Sequence, residues 1–424
     1  MQALVLAAGK GTRMRSARPK VLHEIFAKPL LGYVFDTLQQ LGVASPAVVI
    51  GNGAEQVRSY LKEREKTGKK KNPVVLQREQ KGTGHAVEMS RPVLGRYEGD
   101  ILIWPGDMPL LTRETLEAFI EKHEKSGADV SVLSSVQPDP KGYGRILKMH
   151  GKLTAIREEL DADEEERQVR EVNTGVYLFN AQKLFSALKK VKSSNEKNEF
   201  YLTDTIEILV QGGAKVEAFD LASAEEAMGI NSRRELSQAF AVINRREISK
   251  HQDAGVTFVS PEQTFVEPGA KIGEDTLVYP WTYIEAGVKI GKNCQIGPCA
   301  KLRKGTEIGD DSIIGSFVEV NRSKLGKNVF AKHLTYLGDA TLGDFTNVGA
   351  GTITANFDGV NKHATKIGKK VLLGSNTVIV APAVLEDGAK TGAGSVVTAG
   401  SRIRKGQVVV GVPAKPIKLN KRDR

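Results

Sequence analysis

The run "VEPGAKIGEDTLVYPWTYIEAGVKIGKNCQIG", residues 266–297, decides the fold of the chain's second half. Val266, Ile272, Val278, Ile284, Ile290 and Ile296 stand six residues apart, and the beat continues through Leu302, Ile308, Ile314 and Val320. Units such as "IGEDTL", "IGKNCQ", "IGPCAK" and "IGDDSI" place an aliphatic residue first, often a glycine second, and a small residue fifth. A fixed short period signals a solenoid whose repeats touch only their neighbours. Three hexapeptides make one triangular coil of a left-handed parallel β-helix, with every aliphatic side chain pointing inward. Glycine suits the tight bend at each corner.

The rhythm breaks in "VEVNRSKLGKNVFAKHLTY", residues 318–336, where the beat slips to Leu325 and a histidine follows. A second irregularity carries "NVGAGTITANFDG", residues 347–359. The beat resumes at Ile367 and runs through Leu373, Ile379, Leu385, Thr391, Val397, Ile403 and Val409.

Upstream the pattern is different. "ALVLAAG", "PAVVIG", "PVVLQ", "DILIWPGD" and "DVSVLSSV" are short, β-rich, continuously apolar runs, and stretches with helical spacing such as "TRETLEAFIEKHEKSG" lie between them. Continuous apolar strands alternating with helices predict a mostly parallel α/β sheet of Rossmann-like type, covered on both faces, with ligands beyond the strand C-termini. In "INSRRELSQAFAVINRREISK", Leu236, Phe240, Ile243 and Glu247 recur at helical spacing. The expected organisation is an α/β domain over 1–229, a connecting helix over 230–251, and a β-helix with a basic tail over 252–424.

The chain has 424 residues, 40% of them hydrophobic and 26% charged, with a net charge of +11. The basic excess lies in segments such as "KTGKKKN" and "KPIKLNKRDR", without interleaved aromatics, so a nucleic-acid platform is not expected. Cys294 and Cys299 are too few for a disulfide framework and lack companion metal ligands; a reducing cytoplasm is expected. "MQALVLAAGK" reads as a buried first strand and not a signal peptide, and no run is long enough for a membrane span.

"LAAGKGTRMRSARPK", residues 6–20, sets Gly9 and Gly11 in a turn after the first strand, where glycine lets backbone N–H groups approach phosphate oxygens. Lys10, Arg13 and Lys20 add positive charge. The stretch is neither a Walker A motif nor a dinucleotide fingerprint. Taken in order with "LQREQKGTGHA", "PGDMP", "GYGRI" and "EVNTGVY", it resembles the sugar nucleotidyltransferases. With the hexapeptide half, nearly the whole chain resembles the bacterial bifunctional N-acetylglucosamine-1-phosphate uridylyltransferase/glucosamine-1-phosphate N-acetyltransferase family.

The resemblance implies attack of a sugar 1-phosphate oxygen on the α-phosphorus of UTP, with release of pyrophosphate. Leu6, Gly9, Gly11, Arg13 and Lys20 match the nucleotide and phosphate contacts, with Arg13 and Lys20 in catalytic positions. Gln77, Gly82 and Thr83 match the uracil contacts, and Gly144, Glu158, Asn173 and Asn231 the sugar side. Asp107 and Asn231 match magnesium ligands. Oxygen donors with most positions left to water and phosphate suit that ion. His23 and His85 lie in matching motifs and read as structural.

For the second half the resemblance implies acetyl transfer from acetyl-CoA to glucosamine 1-phosphate between neighbouring β-helices of a homotrimer. His333 matches the general base, and the Ala350 amide the oxyanion donor. Arg303, Asn321, Tyr336, Asn347 and Lys362 match the acceptor site. Asn356 borders both substrates, and Phe357, Ser375 and Ala393 face the coenzyme.

Three positions depart from the family pattern. Asn321 replaces a phosphate-binding lysine, Phe357 a tyrosine, and Gly411 an arginine for the coenzyme phosphate, with Lys415 a candidate substitute. Arg322 is adjacent to Asn321, but successive strand residues face opposite ways, so compensation needs a local twist. These departures keep a second reading open, a uridylyltransferase whose β-helix is only a trimerisation scaffold. A non-catalytic regulatory module fits less well with Arg13, Lys20, Asp107 and Asn231 all in place.

Overall fold

The computed structural model describes residues 1–417, so most of the basic tail lies outside the described residues. The chain forms two compact units, Met1–Val242 and Ile243–Arg424. The boundary falls inside the helix Arg233–Asp253, which starts three residues later than the sequence pattern suggested. Ser232 and Asn231 are used to cap it: Glu235 N–H donates to Ser232 Oγ at 3.3 Å, and Asn231 N–H donates to Glu235 Oε2 at 2.7 Å.

In the first unit the main sheet runs Val216–Asp220, Val130–Val136, Glu171–Asn180, Asp100–Pro105, Gln2–Ala7, Ala47–Ile50, Val74–Leu76. Its pairings are parallel except those of Glu171–Asn180, which is antiparallel to both neighbours. The main sheet is thus mostly parallel, as expected, with one reversed strand. An added antiparallel ribbon, Arg145–Met149 and Lys152–Arg157, hangs from the reversed strand. One apolar cluster packs on each face: Leu4, Ile101, Ile103 and Phe179 on one, Val5, Leu102, Trp104 and Leu178 on the other. Gln2–Ala7 lies between Ala47–Ile50 and Asp100–Pro105, so the chain leaves the sheet in opposite directions around it and a crevice opens beyond the strand ends.

The second unit is a left-handed parallel β-helix with three faces. The first face points Val278, Ile296, Ile314, Ala331, Val348 and Leu373 inward, the second Ile284, Leu302, Val320, Leu337, Thr354 and Ile379, the third Ile290, Ile308, Leu325, Leu342, Ile367 and Leu385. Lys301 pairs with Glu319, eighteen residues on; Glu319 pairs with Tyr336, seventeen on; Thr341 pairs with Lys366, twenty-five on. All three irregularities fall on one edge, between the second and third faces. That edge is one residue short from Val320 to Leu325 and again from Leu337 to Leu342, then holds an extra loop between Thr354 and Ile367.

The edge between third and first faces is regular. Its corner residues alternate in charge up the helix: Glu274, Lys292, Asp310, Lys327, Asp344, Lys369, Asp387. Lys292 reaches Glu274 at 2.6 Å, Lys327 reaches Asp310 at 2.8 Å, and Lys369 reaches Asp344 at 3.0 Å. Each aspartate also accepts the corner N–H of the coil before it, from Lys292, Lys327 and Lys369 at 3.0, 3.0 and 2.7 Å.

Candidate functional sites

The crevice of the first unit holds a cavity of about 370 Å³ lined by Leu6, Gly9, Lys20, Gln77, Gly82, Thr83 and Asp107 among others. The loop after the first strand wraps back because Gly11 takes φ 60°, and a Cβ there would come within 2.9 Å of Lys20 Cβ. Arg13 stands exposed on the short helical turn Thr12–Met14. The half-buried Lys20 ammonium bonds Asp107 Oδ2 and, at 2.7 Å, Asn231 Oδ1. Residues far apart in sequence thus converge on one positive charge.

Gly144, Glu158 and Asn173 form a second group. Asn173 N–H donates to Gly144 O at 2.8 Å, and the register shift between Asn173 and Val176 marks a bulge in the strand that carries Asn173. Glu158 accepts from Thr203 Oγ1 at 3.1 Å, while burial pushes its carboxyl above the usual range. The segment Glu199–Thr203 links this group to the cavity: Glu199 lines it, and Leu202 N–H donates to Thr83 Oγ1 at 3.0 Å. The sequence motifs missed that segment, "EFYLT"; its one signal was an aromatic pair among polar residues. His23 is buried, with Nδ1 3.2 Å from an Arg233 nitrogen, and stays outside the cavity lining.

On the β-helix, the edge between the first and second faces carries His333, Ala350, Ser375 and Ala393 in successive coils as one column. Register extends the column to Gly411, and the hairpin Val408–Val410 with Lys415–Pro416 sets Lys415 opposite Val410. Ala350 O accepts from Asn376 N–H at 2.7 Å, but among the described residues the Ala350 N–H meets no acceptor. His333 is exposed. Beside it the same edge carries Trp281, Phe317 and Leu334, with positive φ and exposures of 59, 63 and 63%.

The irregular edge gathers Arg303, Asn321, Asn356 and Lys362, with Arg322 and Asp339. Asn321 is only 5% exposed, and its Oδ1 accepts from Arg322 Nη1 at 3.0 Å. The twist needed to bring Arg322 over Asn321 is present, as φ 47° at Arg322. Arg322 also grips Asp339 through Nε and Nη2 at 2.7 and 2.8 Å, and Asn356 Nδ2 donates to the same carboxylate. These pairings, Arg322 foremost, hold the Asp339 carboxyl below its usual range, and Lys362 adds to the effect. Arg303 is tied to Glu319 at 3.1 Å. The Tyr336 hydroxyl lies over Gly338, where a Cβ would come within 2.6 Å of it. Asn347 sits apart on the first face, paired with Phe330, and Phe357 is exposed on the extra loop.

A crevice edged by a glycine-rich loop and a lysine on an α/β sheet, followed by a hexapeptide solenoid, defines a nucleoside triphosphate transferase joined to a hexapeptide-repeat transferase. Family models agree: the MobA-like NTP transferase domain matches residues 3–183, the bacterial transferase hexapeptide (six repeats) 269–304, and the hexapeptide repeat of succinyl-transferase 364–399. The chain is 44% identical to the bifunctional protein GlmU of Heliobacterium modesticaldum, covering 93% of this chain and 92% of that one. It is 41% identical to the protein of the same name from Syntrophotalea carbinolica, covering 94% and 92%. The chain belongs to the family of bifunctional GlmU proteins.

Proposed function

We infer that the chain makes UDP-N-acetylglucosamine by two transfers, acetyl from acetyl-CoA to glucosamine 1-phosphate and uridylyl from UTP to N-acetylglucosamine 1-phosphate. The observation that carries the first-unit reading is the convergence of Lys20, Asp107 and Asn231 at the mouth of a cavity edged by Gln77 and Thr83. The reaction joins two anions, so its demands are positioning and charge neutralisation. The glycine loop N–H groups, Arg13 and Lys20 meet the triphosphate. Gly144, Glu158 and Asn173 hold the sugar, with the Glu158 carboxylate accepting from its hydroxyls.

The donor set fits a divalent cation. Asp107 and Asn231 already turn one oxygen each toward a single ammonium, and the cavity beside them leaves room for water and phosphate oxygens. Those two residues would hold magnesium, which when bound neutralises phosphate charge.

In the β-helix, His333 takes the proton of the attacking amine, and the uncapped Ala350 N–H stabilises the oxyanion. The column from Ser375 to Gly411 lies along the coenzyme, and the irregular edge holds the acceptor phosphate. Arg322 answers for the lysine lost at Asn321, because its guanidinium lies against the Asn321 amide. A homotrimer completes this site from a neighbouring copy, a reading supported by the exposed Trp281, Phe317 and Leu334 column beside His333. The work is cytoplasmic, and among the described residues no helix is long and apolar enough to cross a membrane.

The test pairs two assays on the full chain: pyrophosphate release from UTP with N-acetylglucosamine 1-phosphate, and thiol release from acetyl-CoA with glucosamine 1-phosphate. His333→Ala should keep the first and reduce the second by about 10²–10⁴-fold. Absent thiol release in the unaltered chain would leave uridylyl transfer with a scaffold β-helix. Absent pyrophosphate release would sink the first-unit reading.

A further inference from the structure

Gln77 follows the strand Val74–Leu76, is 3% exposed, and lines the cavity. Its main-chain N–H is used on Ile50 O at 2.8 Å. Its side-chain nitrogen Nε2 lies 3.1 Å from Gly82 O and 3.0 Å from His85 Nδ1. A carbonyl oxygen only accepts, so the amide must turn its nitrogen, not its oxygen, toward Gly82. The second hydrogen of that nitrogen then faces His85 Nδ1, which can receive it only as a bare ring nitrogen. The His85 proton therefore sits on Nε2. Both Gln77 amide hydrogens are occupied, and among the described residues no donor reaches Gln77 Oε1. The carbonyl that begins this chain of constraints is itself fixed. Gly82 takes φ 102°, and a Cβ there would come within 2.5 Å of Phe200 O.

We propose that His85 is a positioning residue for base selection: with Gly82 it locks the Gln77 amide so that the nucleotide pocket offers an acceptor and withholds a donor. This rests on reading the cavity as the nucleotide site. An acceptor there pairs with the N3–H of uracil. Cytosine carries a lone pair on N3, so the same approach sets two acceptors against each other. A glutamine able to turn over would serve either base. The lock converts an ambivalent side chain into a selective one, and a site built to meet a specific hydrogen discriminates far better than an apolar one.

The experiment measures kcat and KM of the full chain for UTP and for CTP, with N-acetylglucosamine 1-phosphate as acceptor. His85→Leu should narrow the UTP:CTP ratio of kcat/KM by about ten-fold or more, chiefly through KM. His85→Asn, whose side-chain oxygen can accept near the Nδ1 position, should retain the ratio. A His85→Leu variant that loses UTP and CTP turnover in equal proportion, or that loses neither, would overturn the proposal. If His85→Leu does not fold, the imidazole nitrogen signals of the unaltered chain decide: the lock requires Nδ1 unprotonated and Nε2 protonated without any nucleotide bound, and the reverse tautomer overturns it. A chain inactive on UTP yet carrying the expected tautomer would overturn the base-selection claim through the functional reading and leave the hydrogen-bond assignment standing.

Discussion

Two edges of the β-helix are built from the same backbone corner and end in opposite states. On the edge between third and first faces, the corner N–H groups of Lys292, Lys327 and Lys369 are each covered by an aspartate from the next coil. On the edge between first and second faces, the residues one coil above His333 and Ala350 are Ala350 and Ser375, whose side chains are too small to reach back. The first edge covers every second corner N–H and ties its coils together as a strut. The second leaves a row of oriented donors for a ligand to meet. One residue type at one repeated position separates structure from chemistry.

Exchanging the edges is the harshest test. Ser375→Asp places a carboxylate over the Ala350 N–H as Asp310 is placed over Lys292, and should reduce acetyl transfer by about 10²–10³-fold while the melting temperature holds or rises. Acetyl transfer near the original rate would mean that the oxyanion forms elsewhere.

A smaller effect is expected on the irregular edge. Arg322→Ala should raise KM for glucosamine 1-phosphate by roughly ten-fold or more, as for one lost charge-assisted contact. Adding Asn321→Lys to that variant should restore most of it, with uridylyl transfer steady throughout. An unmoved KM in Arg322→Ala would show the guanidinium to be only a brace for Asp339.

The smallest effect belongs to the strut. Asp344→Ala removes the cap on Lys327 N–H and the pair with Lys369, and should lower Tm by about 1–4 °C with both activities intact. The Asp344 carboxyl is held low first by Lys369 and then by the Lys327 N–H. A depressed carboxyl contributes stability above its unfolded value of 3.8 and loses it as pH falls toward the folded one. Melting curves of the two proteins should therefore converge as the buffer is taken below about pH 4. A gap that persists in acid would assign the loss to packing.

Much of this was legible in the sequence. A six-residue period is local, and it set the solenoid outright. What it hid was that every slip falls on one edge, because Ala331 and Thr354 fill inward positions that an aliphatic template does not count. The reversed strand Glu171–Asn180 was invisible as such, since strand direction leaves no mark on composition. In the cleft, motif order brought Lys20, Asp107 and Asn231 together by resemblance, and the structure joins them through one ammonium. His85 read as structural because its partner is an amide nitrogen, a contact no spacing reveals. The Arg322 twist likewise needed coordinates: positive φ at an arginine breaks the strand alternation on which sequence reasoning relied.

Confining both deletions and the insertion to one edge gives the solenoid a seam. Length can be added or taken there without shifting the register of the other two edges, as the unbroken columns above and below the loop over 356–364 demonstrate. The seam is also where Arg303, Asn321, Asn356 and Lys362 gather, whereas His333, Ala350, Ser375 and Ala393 lie on an edge that never slips. On the function proposed above, acceptor recognition can change by small edits there while the acyl-donor track stays fixed. That separation suits a scaffold that keeps one chemistry and changes what receives it.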